Sequence, residues 1–96
     1  MRKITQLATQ AFLSNTPFSL DNTQVVCYGD ITSLVLHGHV IAIKDMEGLK
    51  VTTAGYDTNT TKERLKGLAS VSHVKGVLHL NGEQWNGKLT LIQKAA

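Results

Sequence analysis

The stretch LKVTTAGYDTNTTKERL, residues 49–65, constrains the fold of this chain more than any other, because it reads as a strand, a Gly55-Tyr56 corner and a capped helix in unbroken succession. Thr60-Thr61-Lys62-Glu63 has the Thr-x-x-Glu spacing of a capping box. That spacing predicts that the Thr60 hydroxyl accepts the Glu63 amide while the Glu63 carboxylate reaches back to the Thr60 amide. Leu65, Leu68 and Ala69 give the helix a small apolar face, and Gly67 weakens its interior. A short helix that leans on tertiary packing is expected. The stretch contains no catalytic constellation.

Upstream, Ile4, Leu7, Ala8, Ala11 and Phe12 follow the spacing of one helical face, opposite Arg2, Thr5, Gln6, Thr9 and Gln10. This amphipathic helix should stop near Ser14-Asn15-Thr16-Pro17, since Pro17 disfavours helical geometry before it and has no N–H to donate. Its apolar stripe is read as packing on a sheet, with Phe18 and Leu20 packing down before that sheet begins. The period then becomes that of β-structure. Val25–Tyr28, Ile31–Leu36, Val40–Lys44 and Leu49–Ala54 are separated by connections too short for parallel crossovers, so they predict an antiparallel meander of about four strands. After the second helix, Gly76–Leu80 and Lys88–Ile92 are read as one or two further strands. Asn81-Gly82 and Asn86-Gly87 are turn signals that bracket Trp85. The class is α+β, with residues 1–96 forming one domain.

A 96-residue chain buries only roughly 60 to 65% of its unfolded surface, so its stability is modest and self-association as a homodimer is a natural expectation. The single cysteine, Cys27, cannot form an intramolecular disulfide and suits a reducing compartment. Thr5, Gln6, Thr9 and Gln10 interrupt any signal-peptide core behind Met1-Arg2-Lys3, and no run approaches the ~18 apolar residues of a membrane span. A cytoplasmic protein with no membrane contact is expected.

Candidate chemistry is sparse. His37 and His39 flank Gly38 but bring only half of the three or four ligands that a zinc site takes, and His73 and His79 are isolated in sequence. No metal, no cofactor and no enzymatic activity are expected. Tyr56 and Trp85 are read as buried caps at the two ends of the sheet, or, if exposed, as partner anchors. Ten Lys and Arg against seven Asp and Glu give a net charge of +3, spread along the chain. Lys62, Arg64 and Lys66 stand out because cations in the first turns of a helix oppose its partial positive charge. They form either a solvated face or an anion-facing patch, with Lys50 and Lys75 behind them.

The order NTQVV, LVLHGHVIAI, LKVTTAGYDTNTTKERLKGL and HLNGEQWNG resembles a group of small accessory proteins encoded by tailed bacteriophages and prophages, over roughly residues 10–92. Here Tyr56 stands where tryptophan is expected, and Lys66-Gly67 where an Asn often follows the leucine. The group is similar to at least one inhibitor of Cascade-type CRISPR surveillance complexes. The resemblance implies a stoichiometric, anti-CRISPR-like inhibitor in the host bacterial cytoplasm that blocks target-DNA binding. A strongly acidic DNA mimic does not suit a +3 chain, so contacts with acidic protein surface or guide-RNA phosphate are expected, through Lys62, Arg64, Lys66, Lys50 and Lys75. The alternative is a small basic nucleic-acid-binding module in phage replication or transcription, and a virion component is a third reading.

Overall fold

The computed structural model describes residues 1–95. Helix α1 (Lys3–Leu13) leads into β1 (Phe18–Leu20), β2 (Thr23–Tyr28), β3 (Ile31–Leu36), β4 (His39–Asp45) and β5 (Gly48–Val51). Helix α2 (Asn59–Leu65) follows, then β6 (Val71–Val74), β7 (Val77–Leu80), β8 (Glu83–Gln84) and β9 (Thr90–Lys94). The class is α+β, as the sequence predicts. Strands β1 to β5 form a meander that β9 completes by pairing antiparallel with β5, giving a six-stranded sheet in the order β1-β2-β3-β4-β5-β9. Strands β6, β7 and β8 form a separate three-stranded sheet.

Alternation along the strands sends one set of side chains towards the helices. The central row Val25, Leu34, Ala42 and Val51 runs straight across β2 to β5 and is buried throughout. It joins Ala8 and Phe12 of α1, Leu65 of α2, Val71 and Leu80 of the small sheet, and Trp85 just after β8 in one core. A bulge sets Ile41 opposite no residue of β3, and two consecutive β4 side chains, Ile41 and Ala42, are both buried in consequence.

Several local expectations change. Phe18 packs on the core as expected, but Phe18–Leu20 is already an edge strand of the sheet and Leu20 is exposed. The two strands expected near the C-terminus, now β7 and β9, belong to different sheets, and β6 and β8 were not foreseen. The β6–β7 turn is Lys75-Gly76, with φ of 53° and 79°, matching Asn81-Gly82 at the β7–β8 turn. Both central residues then have the positive φ of a tight hairpin, which lysine seldom adopts and which therefore left no signal. The α2 cap lies two residues earlier than Thr60: Thr58 accepts the Thr61 amide at 3.2 Å, and Glu63 turns away from its own helix.

Gly67 follows α2 where that turn meets α1, and a Cβ there would stand 2.0 Å from Thr9 Oγ1. What looked like a weakness in a helix is a point of close approach between two elements. Gly67→Ala should therefore destabilise the fold by about 1–2 kcal/mol despite alanine's better helical propensity, because overpacking outweighs it. Urea unfolding midpoints of the two proteins check this.

Candidate functional site

The sequence-predicted cations do not oppose the α2 dipole as expected, because the helix is so short that Lys62 and Arg64 fall in its last turn and Lys66 at its C-cap, and they separate into three environments. Arg64 is 2% exposed, so it is no part of a surface patch. Its Nε donates to Thr23 Oγ1 at 2.8 Å, one terminal nitrogen to Thr5 Oγ1 at 3.2 Å and the other to Asn22 Oδ1 at 3.3 Å. Its position in α2, beside Leu65, points it between α1 and β2. Burial pulls its pKa down, helped by Arg2, yet a guanidinium keeps its proton in proteins. Each threonine hydroxyl passes the bond on, Thr5 to Glu63 Oε1 at 2.8 Å and Thr23 to Asn22 Oδ1 at 2.8 Å.

Glu63 is the anion of this network. Its Oε1 also accepts the Arg2 amide at 3.0 Å, and Arg2 is the N-cap residue of α1, whose side chain makes no capping bond. The carboxylate of one helix thus caps the other. That backbone bond, with Thr5, Lys66 and the N-terminus, holds the Glu63 pKa below its ordinary 4.5 against the opposing effect of burial.

Lys50 lies across the sheet from the helices, pairing with Asp45 at 3.2 Å and Glu47 at 2.9 Å. Those two bonds raise its pKa. Burial pushes Asp45 up, but the Lys50 side chain and the amides of Glu47 and Gly48 outweigh it and leave the Asp45 pKa lowered. Lys50 is not available as a phosphate contact without breaking this set.

Lys62 and Lys66 remain, and the structure brings them together. They line a shallow groove of about 470 Å³ between α2 and β6, with Glu63 and His73. Lys75 is exposed at the adjoining turn, just beyond His73. His73 sits between Lys62 Nζ, 2.6 Å from its Nδ1, and Asp57 Oδ2, 2.7 Å from its Nε2. Lysine can only donate, so Nδ1 accepts and Nε2–H donates to Asp57. Lys66 lies 3.7 Å from Glu63 Oε2. The groove is of mixed sign rather than basic. Neither His73 nor Asp57 could be placed here from sequence, since β6 carries no legible pattern.

The remaining candidates resolve simply. His37 sits in the β3–β4 turn with φ of 51°, and His39 stacks on Tyr56 with ring centroids 4.4 Å apart. Tyr56 is half exposed instead of a buried cap. Trp85 is buried as expected, its Nε1 donating to Lys88 O and Thr90 Oγ1. Among the described residues no group of three or more His, Cys, Asp and Glu could hold a metal ion, and no helix is long and apolar enough to cross a membrane.

Fold and surface together define a small α+β domain with a mixed-charge groove on its helical side. Residues 1–91 match the family model described as Kyanoviridae Gp96 protein, and the chain belongs to that bacteriophage family. The match accounts for the phage part of the sequence resemblance and carries nothing about CRISPR inhibition. No match is found among curated proteins or among solved structures.

Arg64→Met should cost about 3 kcal/mol, since it removes the donor that the buried Thr5 and Thr23 hydroxyls and the half-buried Asn22 carbonyl accept from, and Arg64→Lys should not restore the loss because one ammonium cannot span three acceptors. Chemical denaturation of both variants tests the fork. Because the folded-state pKa of Glu63 is depressed, its stabilisation is complete above about pH 4.5 and disappears as pH falls through the folded-state value. Glu63→Gln should be less stable at neutral pH and lose less on acidification; midpoints measured between roughly pH 3 and 7 give the comparison.

Proposed function

We propose that this bacteriophage protein acts without catalysis, by docking its α2–β6 side on a host protein assembly. The specific target suggested by the sequence resemblance is a Cascade-type CRISPR surveillance complex, with target-DNA binding blocked as the outcome. The observation that supports contact with protein is the mixed groove itself, where Lys62, Lys66 and His73 stand beside Glu63 and Asp57, with Lys75 at its end. Alternating signs match the patterned charge of a protein surface and steer its approach. A phosphate backbone is better met by a one-sign field.

Direct nucleic-acid binding has less support. Of the five cations expected to meet the partner, Arg64 and Lys50 are held in structural bonds, which leaves Lys62, Lys66 and Lys75 too few and too mixed with carboxylates to form a one-sign field for phosphate. A tagged protein incubated with lysate of a CRISPR-active bacterium should recover a multisubunit nucleoprotein, and its expression should protect an otherwise targeted phage. Lys62→Glu with Lys66→Glu should weaken that capture about tenfold, or about 1.4 kcal/mol. Absence of both capture and protection removes the CRISPR reading. Tight binding to free DNA or RNA that falls steeply with salt would install the nucleic-acid reading instead.

A further inference from the structure

The six-stranded sheet has a second face, and neither helix covers it. Its middle row runs Val26, Ser33, Ile43, Lys50 and Leu91 across β2, β3, β4, β5 and β9. Beside it Val40, 37% exposed, pairs across β3 and β4 with Val35, which is itself 9% exposed, and at the far end Tyr28 pairs with Ile31. These side chains alternate with the core-facing ones. Val26 is 48% exposed, Leu91 40% and Tyr28 83%. Tyr28, Ile31 and Met46 border a hollow of about 450 Å³ at that end, whose rim also carries Asp30, Asp45 and Glu47.

We infer that this face is the interface of a homodimer, in which two copies stack sheet on sheet about a two-fold axis. Charge selects the occupant. Each chain carries +3, but the cation in the middle of this face, Lys50, is matched by Asp45 and Glu47, leaving Lys94 at the β9 edge as the exposed cation of the described strands here. Lys62 and Lys66 belong to α2, on the opposite side of the sheet. Two like-charged copies therefore meet here without bringing their cations together, whereas a polyanion finds little to hold. An isologous contact also needs a self-complementary surface, and an apolar, nearly neutral sheet face supplies one.

Size agrees. Five strands at ~4.8 Å spacing and about six residues long present roughly 500 Å² per copy, so a pair buries roughly 1,000 Å², the lower bound of a specific interface. Aligned packing places the sheets about 10 Å apart and crossed by about 30°, which suits side chains of valine and isoleucine size. The α2–β6 grooves would then face outward on both sides of the dimer. The dimer does not depend on the proposed host target.

Sedimentation equilibrium of the full chain should show a concentration-dependent species of twice the 10.5 kDa chain mass. Ser33 lies within the row, beside its middle residue Ile43, and is already polar, so Ser33→Arg sets like charges into the contact with little effect on the core. It should raise the dimer dissociation constant at least ~100-fold while the unfolding midpoint of the monomer stays put. Should Ser33→Arg fail to fold, dilution of the wild type followed by NMR decides, with shifts expected at Val26, Ser33, Val40, Ile43 and Leu91. A wild type that is monomeric at all concentrations, a dimer unchanged by Ser33→Arg, or dilution shifts confined to other surfaces would overturn the inference. So would a monomer whose sheet face is occupied by a different protein.

Discussion

A guanidinium without a carboxylate in contact holds the helical layer to the sheet. Arg64 gives its protons to three neutral oxygens, on α1, on β2 and on the residue before β2. The balancing charge, Glu63, is one hydroxyl away through Thr5. Taking such a cation out of water is costly, and the cost is tolerable only while every acceptor keeps its place. The network therefore does more for uniqueness of packing than for net stability: a shifted α1 would lose Thr5, and a slipped β2 would lose Thr23. Among the described residues, the buried side-chain oxygen left without a partner, Thr9 Oγ1, sits where Gly67 makes its close approach.

The same logic governs α1 along its axis. It has no acidic residue in its first turn and no basic residue in its last. Glu63 supplies the anion at one end. Lys44 of β4 supplies the cation at the other, donating to Phe12 O at 3.0 Å and Leu13 O at 2.7 Å while lying over the Phe12 ring. Both charges oppose the partial charges of the helix ends, so a helix of ordinary propensity becomes polar-complemented only in its tertiary setting.

Period carried most of the fold. The apolar stripe of α1, the alternating strands β2 to β5 and their short connections were legible because each rests on local geometry. What was hidden depended on partners distant in sequence. Glu63 at Thr-x-x-Glu spacing mimics a capping box, yet its bonds go to residues 58 and 61 positions away. Arg64 looks like its neighbours Lys62 and Lys66, and only the helix phase relative to Thr5 and Thr23 turns it inward. Strand β6 was missed because Val71-Ser72-His73-Val74 is too short and polar to show a period, and with it went the Asp57–His73–Lys62 chain. The uncovered sheet face was implicit in the meander. A strand pattern specifies two faces without saying whether both are covered.

The distant capping of α1 has a consequence for the chain as it is made. Helix α1 is 11 residues long, below the length at which isolated helices persist in water. Its anchoring residues lie about 60 positions downstream, so at roughly 5–20 residues per second it waits roughly 3–12 s for them to be synthesised. The hairpins of β2 to β5 emerge in the interval and can pair in sequence. Helix α1 is thus made well before the residues that secure it, and the strands that will carry it are complete before those residues arrive.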